Sequence, residues 1–147
     1  MGIAELGWHL STKKFRVYLK EKYNVETAYY FVGYTEEKVD MYSSIERDGY
    51  TMVYRKSGLH LDGSTKGNVD TILVLRAIVE LNKYDKAIIV TSDGDFDCLV
   101  EYLLNQSKLR RVLAPKFEKC SHLLKEAAHS YISYLDELRH KLEYHKK

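Results

Sequence analysis

The sequence predicts an α/β fold in which a mostly parallel sheet lies between layers of helices. Short apolar or aromatic runs alternate along the chain with longer segments of helical periodicity. The run from Ala87 to Val90 is uninterrupted and mostly β-branched, which is typical of a strand covered on both faces. Because strands separated by helices favour parallel pairing, we expect a three-layer α/β/α domain with a helical C-terminal tail. Its 147 residues are enough for one domain, 1–147, with its own core.

The first predicted elements are a helix and an aromatic strand. Ser11 and Thr12 begin a helix whose large apolar side chains recur at helical spacing until Asn24. The segment from Ala28 to Tyr34 is aromatic and β-branched, which predicts a strand. Thr35 follows it and is placed to cap a second helix.

A second strand and a long helix come next. Asp48 and Gly49 end the second helix, and Thr51 to Arg55 forms a short strand. The segment from Lys56 to Gly67 contains three glycines and is predicted to be a loop. From Val69 to about Leu81 most residues are apolar, so we expect a helix that is buried on much of its circumference.

The remaining elements begin with the strand from Ala87 to Val90 and the helix after it. A last strand is predicted from Arg111 to Ala114, where Pro115 stops it. Ser121 then opens a C-terminal helical region with an apolar side.

Acidic residues stand directly after the strand that ends at Val90. In open α/β sheets, ligands bind outside the carboxyl ends of the strands, where Asp93 and Asp95 would offer hard oxygen donors. Two close carboxylates repel each other, so the arrangement favours a cation at the site. The alternative is that Ser92, Asp93 or Asp97 only caps the next helix. A cap explains one carboxylate but not three in five positions, so we favour the metal site.

A further carboxylate, Asp70, falls in the first turn of the long apolar helix. The helix dipole favours a carboxylate there even without a function. However, the glycine-containing loop that carries Lys66 would bring this helix start to the carboxyl end of the sheet. Three carboxylates would then converge.

Composition excludes several classes of protein. The two cysteines form no C-x-x-C pair, and no segment approaches the roughly 18 apolar residues of a membrane span. We therefore expect a cytoplasmic protein. The net charge is only +2, but the segment from Gln106 to Lys147 holds ten Lys and Arg against five Asp and Glu. The four histidines of this segment lack metal-ligand spacing and are expected at the surface.

Two motifs resemble those of a known family. The segments Lys66 to Asp70 and Thr91 to Phe96, about twenty residues apart, resemble the second and third motifs of the NYN domain. This domain is the branch of the PIN-like nuclease superfamily that includes the LabA-like proteins. The resemblance implies a PIN-like α/β/α fold and cleavage of RNA phosphodiester bonds that depends on Mg²⁺ or Mn²⁺.

The resemblance also assigns residues. Carried over by position, Asp70, Asp93 and Asp95 are the catalytic and metal-binding residues. Ser92 and Lys66 fall beside them and would orient the metal-bound water or a phosphate. Carboxylate ligands favour Mg²⁺ over Zn²⁺.

Basic residues near the strand ends are the expected substrate contacts. Arg110, Arg111, Lys116 and Lys119, together with Lys66, are predicted to contact the backbone of single-stranded RNA. The sequence places them at or near the same strand ends as the acidic residues.

One family motif has no match in this chain. NYN domains begin with a strand that ends in an Asp-Gly-x-Asn type motif, and this sequence looks like the segment that follows it. We expect that first strand to be missing, which would expose a sheet edge and favour a homodimer or other self-association. The loss of one carboxylate makes activity doubtful. The alternative function is therefore a catalytically weakened NYN module that binds RNA or a protein. A phosphate-binding or phosphotransfer domain ranks last, because no glycine-rich P-loop is present.

Overall fold

The computed structural model describes residues 6–55 and 68–145. Within these ranges the chain alternates helices with parallel strands and ends in a helix, which confirms the predicted α/β fold class. The elements are α1 Thr12–Tyr23, β1 Tyr29–Gly33, α2 Val39–Arg47, β2 Thr51–Arg55, α3 Asn68–Val79, β3 Ala87–Val90, α4 Asp97–Asn105, β4 Leu109–Ala114, α5 His122–Ala128, β5 Ile132–Tyr134 and α6 Arg139–Leu142.

The chain forms two compact units. The first unit is Ser11–Arg76, and the second unit contains the residues up to Leu10 together with those from Ala77 onward. The prediction of one domain over 1–147 stays a prediction.

The first unit is built on the parallel pair β1 and β2. Their register runs from Tyr29 opposite Thr51 to Gly33 opposite Arg55. The helices α1 and α2 supply most of the buried side chains of this unit, because each carries apolar residues at helical spacing. These buried residues are Phe15, Leu19, Tyr42 and Ile45.

The ends of α1 lie where the sequence predicts them. The Ser11 hydroxyl accepts a hydrogen bond from the Lys14 backbone N–H at 3.1 Å, as an N-cap residue does. Asn24 ends the helix in the left-handed conformation, with φ 55°.

The expected cap of α2 is wrong. Thr35 precedes a 3₁₀ turn, Glu36–Lys38, and its side chain makes no capping hydrogen bond. Instead the buried Tyr42 hydroxyl accepts from the Thr35 backbone N–H at 3.2 Å and donates to the Gly33 carbonyl at 3.1 Å. A tertiary contact therefore takes the place of the local cap.

The helix α3 is less buried than expected. None of its described side chains is fully buried, and Leu75, Ile78 and Val79 are 55%, 42% and 76% exposed. A helix that is apolar on all sides needs cover on all sides. Within the first unit, the contact we identify is the Arg76 guanidinium, 5.2 Å from the centre of the Tyr29 ring.

The second unit contains a parallel sheet in the order β3, β4, β5. The helices α4 and α5 connect these strands and pack against each other. The strand β5 corrects the prediction that Arg111 to Ala114 is the last strand, because it lies within the predicted C-terminal helical region. Because it pairs with β4 over only three residues, its formation depends on tertiary contact rather than on a local pattern.

The early segment of the second unit is joined to its late segment. Leu10 forms an isolated antiparallel bridge with Glu143. The buried Trp8 indole donates to a carboxylate oxygen of Asp136 at 2.8 Å. The helices described by the structure include none that is both long enough and apolar enough to cross a bilayer.

Candidate functional site

The acidic residues after β3 form one tight turn, which we call the acidic turn (residues 93–97). Asp93 is the N-cap of a 3₁₀ turn, Gly94–Phe96, that leads directly into α4. Its Oδ1 accepts a hydrogen bond from the Asp95 backbone N–H at 2.9 Å. The capping alternative thus holds for Asp93, and this bond fixes the orientation of its carboxylate.

The carboxylates of Asp93 and Asp95 are both exposed to solvent on this turn. Asp97 is half-buried, and its Oδ1 accepts from the Cys98 backbone N–H at 2.6 Å. A side-chain hydrogen bond with the Asp97 carboxylate, together with its negative charge, raises the pKa of the Cys98 thiol, because both disfavour the thiolate. Asp97 therefore has a local structural role, whereas Asp93 and Asp95 present oxygens outward.

The donor set of the acidic turn suits a hard cation. Mg²⁺ is usually held by one or two carboxylates, with waters and substrate phosphate as its other ligands. Across residues 6–55 and 68–145, no group of three or more His, Cys, Asp or Glu side chains is arranged to hold a metal ion. Asp93 and Asp95 offer oxygen donors of the kind that Mg²⁺ prefers, and their role as metal ligands stays a prediction.

Two predicted site residues lie outside this turn. Asp70 is in the first turn of α3, as expected, and is half-buried in the first unit. Its convergence with Asp93 and Asp95, which are in the second unit, stays a prediction. Lys66 lies outside the described residues.

A close backbone approach fastens the segment after β4 to the acidic turn. The Ser121 backbone N–H donates to the carbonyl of Ser92 at 3.1 Å, and the Ser92 side chain is buried. A Cβ atom at Gly94 would lie 2.4 Å from the Ser121 Oγ and 3.1 Å from its Cβ. Glycine at this position is therefore what allows the two segments to approach so closely.

The predicted basic contacts divide between the two ends of the sheet. Lys116 and Lys119 follow the carboxyl end of β4, which is also the end of β3 where the acidic turn begins. Arg110 and Arg111 lie at the amino end of β4, opposite the start of β3. Their expected placement beside the acidic turn is wrong, because the strand begins at Leu109 and runs parallel to β3. Arg111 donates instead to a backbone carbonyl.

An aromatic cluster at the carboxyl end of the sheet was not predicted from the sequence. Phe117 is 58% exposed, and the Lys125 Nζ lies 3.5 Å from the centre of its ring. The Tyr134 and Phe117 rings lie nearly perpendicular to each other, with centres 5.4 Å apart. Burial raises the pKa of Tyr134 above its ordinary value. We call Phe117, Lys125 and Tyr134 the aromatic platform. An aromatic residue between two lysines just after a strand end is the signal that points to it.

Comparison with known proteins places the chain in a family. A family model described as the NYN domain matches residues 3–137. The chain belongs to the NYN family. This family is part of the PIN-like nuclease superfamily, so the resemblance seen in the two sequence motifs is confirmed.

A solved structure supports the same fold. The NYN chain is similar to a crystal structure of a protein of unknown function from Vibrio parahaemolyticus, with a TM-score of 0.72 and 22% sequence identity. The match covers 89% of this chain and 82% of that one. No curated protein matches the chain.

Proposed function

We propose that this NYN domain is a metal-dependent ribonuclease-like protein of the cytoplasm that hydrolyses RNA phosphodiester bonds at the acidic turn. The observation that supports this is the exposure of two carboxylates, Asp93 and Asp95, on one turn at the carboxyl end of a parallel strand. Both residues lie inside the segment that matches the family.

The proposed roles follow from the positions of the side chains. Asp93 and Asp95, joined by Asp70, would hold Mg²⁺ or Mn²⁺. When bound, such an ion lowers the pKa of a water ligand and neutralises charge on the phosphate. The bond from the Asp95 backbone N–H holds one oxygen of Asp93, and its other oxygen has no partner among the described residues. Lys116 and Lys119 would attract the phosphate backbone to this edge.

The second candidate function is an NYN module that binds RNA without cleaving it efficiently. It is favoured by one observation, since the described residues contain no complete set of three metal-ligating side chains. An incomplete set of ligands would weaken metal affinity and slow the chemical step.

Cleavage of a labelled single-stranded RNA with and without Mn²⁺ tests the proposal. Asp95→Asn should reduce Mn²⁺-dependent cleavage by more than about 100-fold, because it removes a charged ligand. The matched control is Asp85→Asn, since Asp85 is also exposed but precedes the amino end of β3. Cleavage that persists in Asp95→Asn, or that needs no divalent ion, would refute the assignment. RNA binding that weakens with salt, without cleavage by the wild type, would establish the second candidate instead.

Self-association is a separate proposal. In the part of the chain that the structure describes, β3 pairs with β4 on one side and with no strand on the other. Open strand edges of apolar composition recruit further strands. We therefore expect a concentration-dependent dimer in sedimentation experiments, and a strictly monomeric protein at high concentration would contradict this.

A further inference from the structure

Phe117 is exposed although it is a large aromatic residue. The Lys125 ammonium group lies over the Phe117 ring, 3.5 Å from its centre, and the Tyr134 ring lies nearly perpendicular to it, with centres 5.4 Å apart. More than half of the side chain, 58%, still faces solvent. The ring is therefore held by two neighbours while part of its surface remains open to a ligand.

The aromatic platform and the acidic turn lie at the same end of the sheet, the carboxyl end of its strands. Phe117 follows the carboxyl end of β4, and Tyr134 is the last residue of β5. Two backbone hydrogen bonds link the Phe117 segment to the acidic turn. The Cys120 N–H donates to the Phe117 carbonyl, and the Ser121 N–H donates to the Ser92 carbonyl. Phe117 is thus fastened, through a short segment of chain, to the residue that precedes Asp93.

The charges around Phe117 favour an anionic ligand with flat rings. Between residues 116 and 126, Lys116, Lys119 and Lys125 outnumber Glu118 and Glu126. An ammonium group over one face of an aromatic ring is a cation–π contact, and it draws the electrons of the ring toward that face. The open surface of such a ring stacks well on a nucleobase, while the lysines attract the adjacent phosphates.

We propose that Phe117, supported by Lys125 and Tyr134, is a base-stacking contact for single-stranded RNA beside the acidic turn. This inference rests on the proposed function for the identity of the ligand, but it does not depend on cleavage. It assigns to Phe117 a positioning role, in which one unpaired base is held while the neighbouring backbone reaches Asp93 and Asp95. Stacking on an aromatic ring accepts any base, so we expect little sequence preference at this position.

Equilibrium binding of a short labelled RNA to the full chain, measured by fluorescence anisotropy, tests the proposal. Phe117→Leu should weaken binding by about 5- to 150-fold, the range for losing one stacked base. Phe117→Trp should retain the wild-type affinity, because it keeps an aromatic face. The matched control is Tyr144→Leu, since Tyr144 is also 58% exposed and belongs to the same unit. It should leave the affinity unchanged.

An abasic oligomer of the same length separates stacking from phosphate contacts. The Phe117→Leu effect should disappear with this oligomer, and the dependence of affinity on salt should stay the same in wild type and variant. Equal RNA affinity of wild type and Phe117→Leu would overturn the stacking proposal alone. An equal loss on the abasic oligomer would also overturn it. If the wild type binds no RNA, both the stacking proposal and the RNA substrate of the proposed function are overturned. Loss of cleavage in Asp95→Asn tests the acidic turn independently of Phe117.

Discussion

Replacing Gly94 with alanine should destabilise the protein, although the backbone at this position suits alanine. Gly94 is not among the glycines of positive φ, so the new residue would meet no conformational strain. Alanine at such a position usually stabilises a protein by about 0.4–1 kcal/mol through the unfolded state. The added Cβ, however, would lie 2.4 Å from the Ser121 Oγ and 3.1 Å from the Ser121 Cβ.

The steric clash determines the net change in the free energy of unfolding. An extra methyl group forced into a tight contact costs about 1–3 kcal/mol. Rotation of the Ser121 hydroxyl relieves the shorter contact but leaves the contact with its Cβ. Subtracting the gain from the unfolded state, we expect Gly94→Ala to lower the free energy of unfolding by about 1 kcal/mol. For a chain of this size, that corresponds to a decrease in Tm of about 3 °C.

Urea unfolding of a double-mutant cycle provides the assay. In the Ser121→Gly background both short contacts are absent, and the next atom, the Leu123 Cβ, would be at an ordinary 3.7 Å. Gly94→Ala should then stabilise the protein by about 0.4–1 kcal/mol, so its sign reverses between backgrounds. A stabilising effect in the wild type, or the same loss in both backgrounds, would refute the close approach of the acidic turn and Ser121.

Three further predictions concern single side chains. Ser11→Ala should lower the free energy of unfolding by about 1 kcal/mol through loss of the α1 cap, whereas Ser43→Ala, at an exposed position of α2, should change it by less than about 0.5 kcal/mol; equal effects in urea unfolding would contradict the cap. Tyr42→Phe should cost about 1–3 kcal/mol, because two backbone groups lose their partner; a neutral effect on thermal unfolding would argue against these bonds. The Asp97 carboxylate raises the pKa of the Cys98 thiol, so Asp97→Asn should lower that pKa and speed alkylation of the thiol near pH 8. If the alkylation rate depends on pH in the same way in Asp97→Asn and in the wild type, the coupling is disproved.

The sequence predicted well those elements whose pattern is local. The run from Ala87 to Val90 and the carboxylates after it are a strand and a turn in the structure, and the shortness of the run, its β-branched residues and the turn residues that follow it are local signals of that. The N-cap of α1 was likewise predictable, since Ser11 acts on a backbone group only three residues away.

The failures arise where distant contacts decide. The strand β5 has three residues, which is too short for a period, and it exists through pairing with β4. Composition predicted that α3 would be buried, but composition does not specify what covers a helix. Arg110 and Arg111 stand at the amino end of the predicted strand as well as of β4, so closeness in sequence to the strand was mistaken for closeness to its carboxyl end. Phe117 was missed because its position between two lysines after a strand end does not show whether the side chain is exposed, which depends on tertiary contacts.

The bridge between Leu10 and Glu143 has a consequence for synthesis on the ribosome. All residues of Ser11–Arg76 leave the exit tunnel early, so that unit can fold while translation continues. The second unit needs two segments, the residues up to Leu10 and those from Ala77 onward, which are separated along the chain by the whole first unit. Trp8 therefore gains its hydrogen-bond partner only after Asp136 has left the ribosome, so this unit cannot be completed while the first unit is being synthesised.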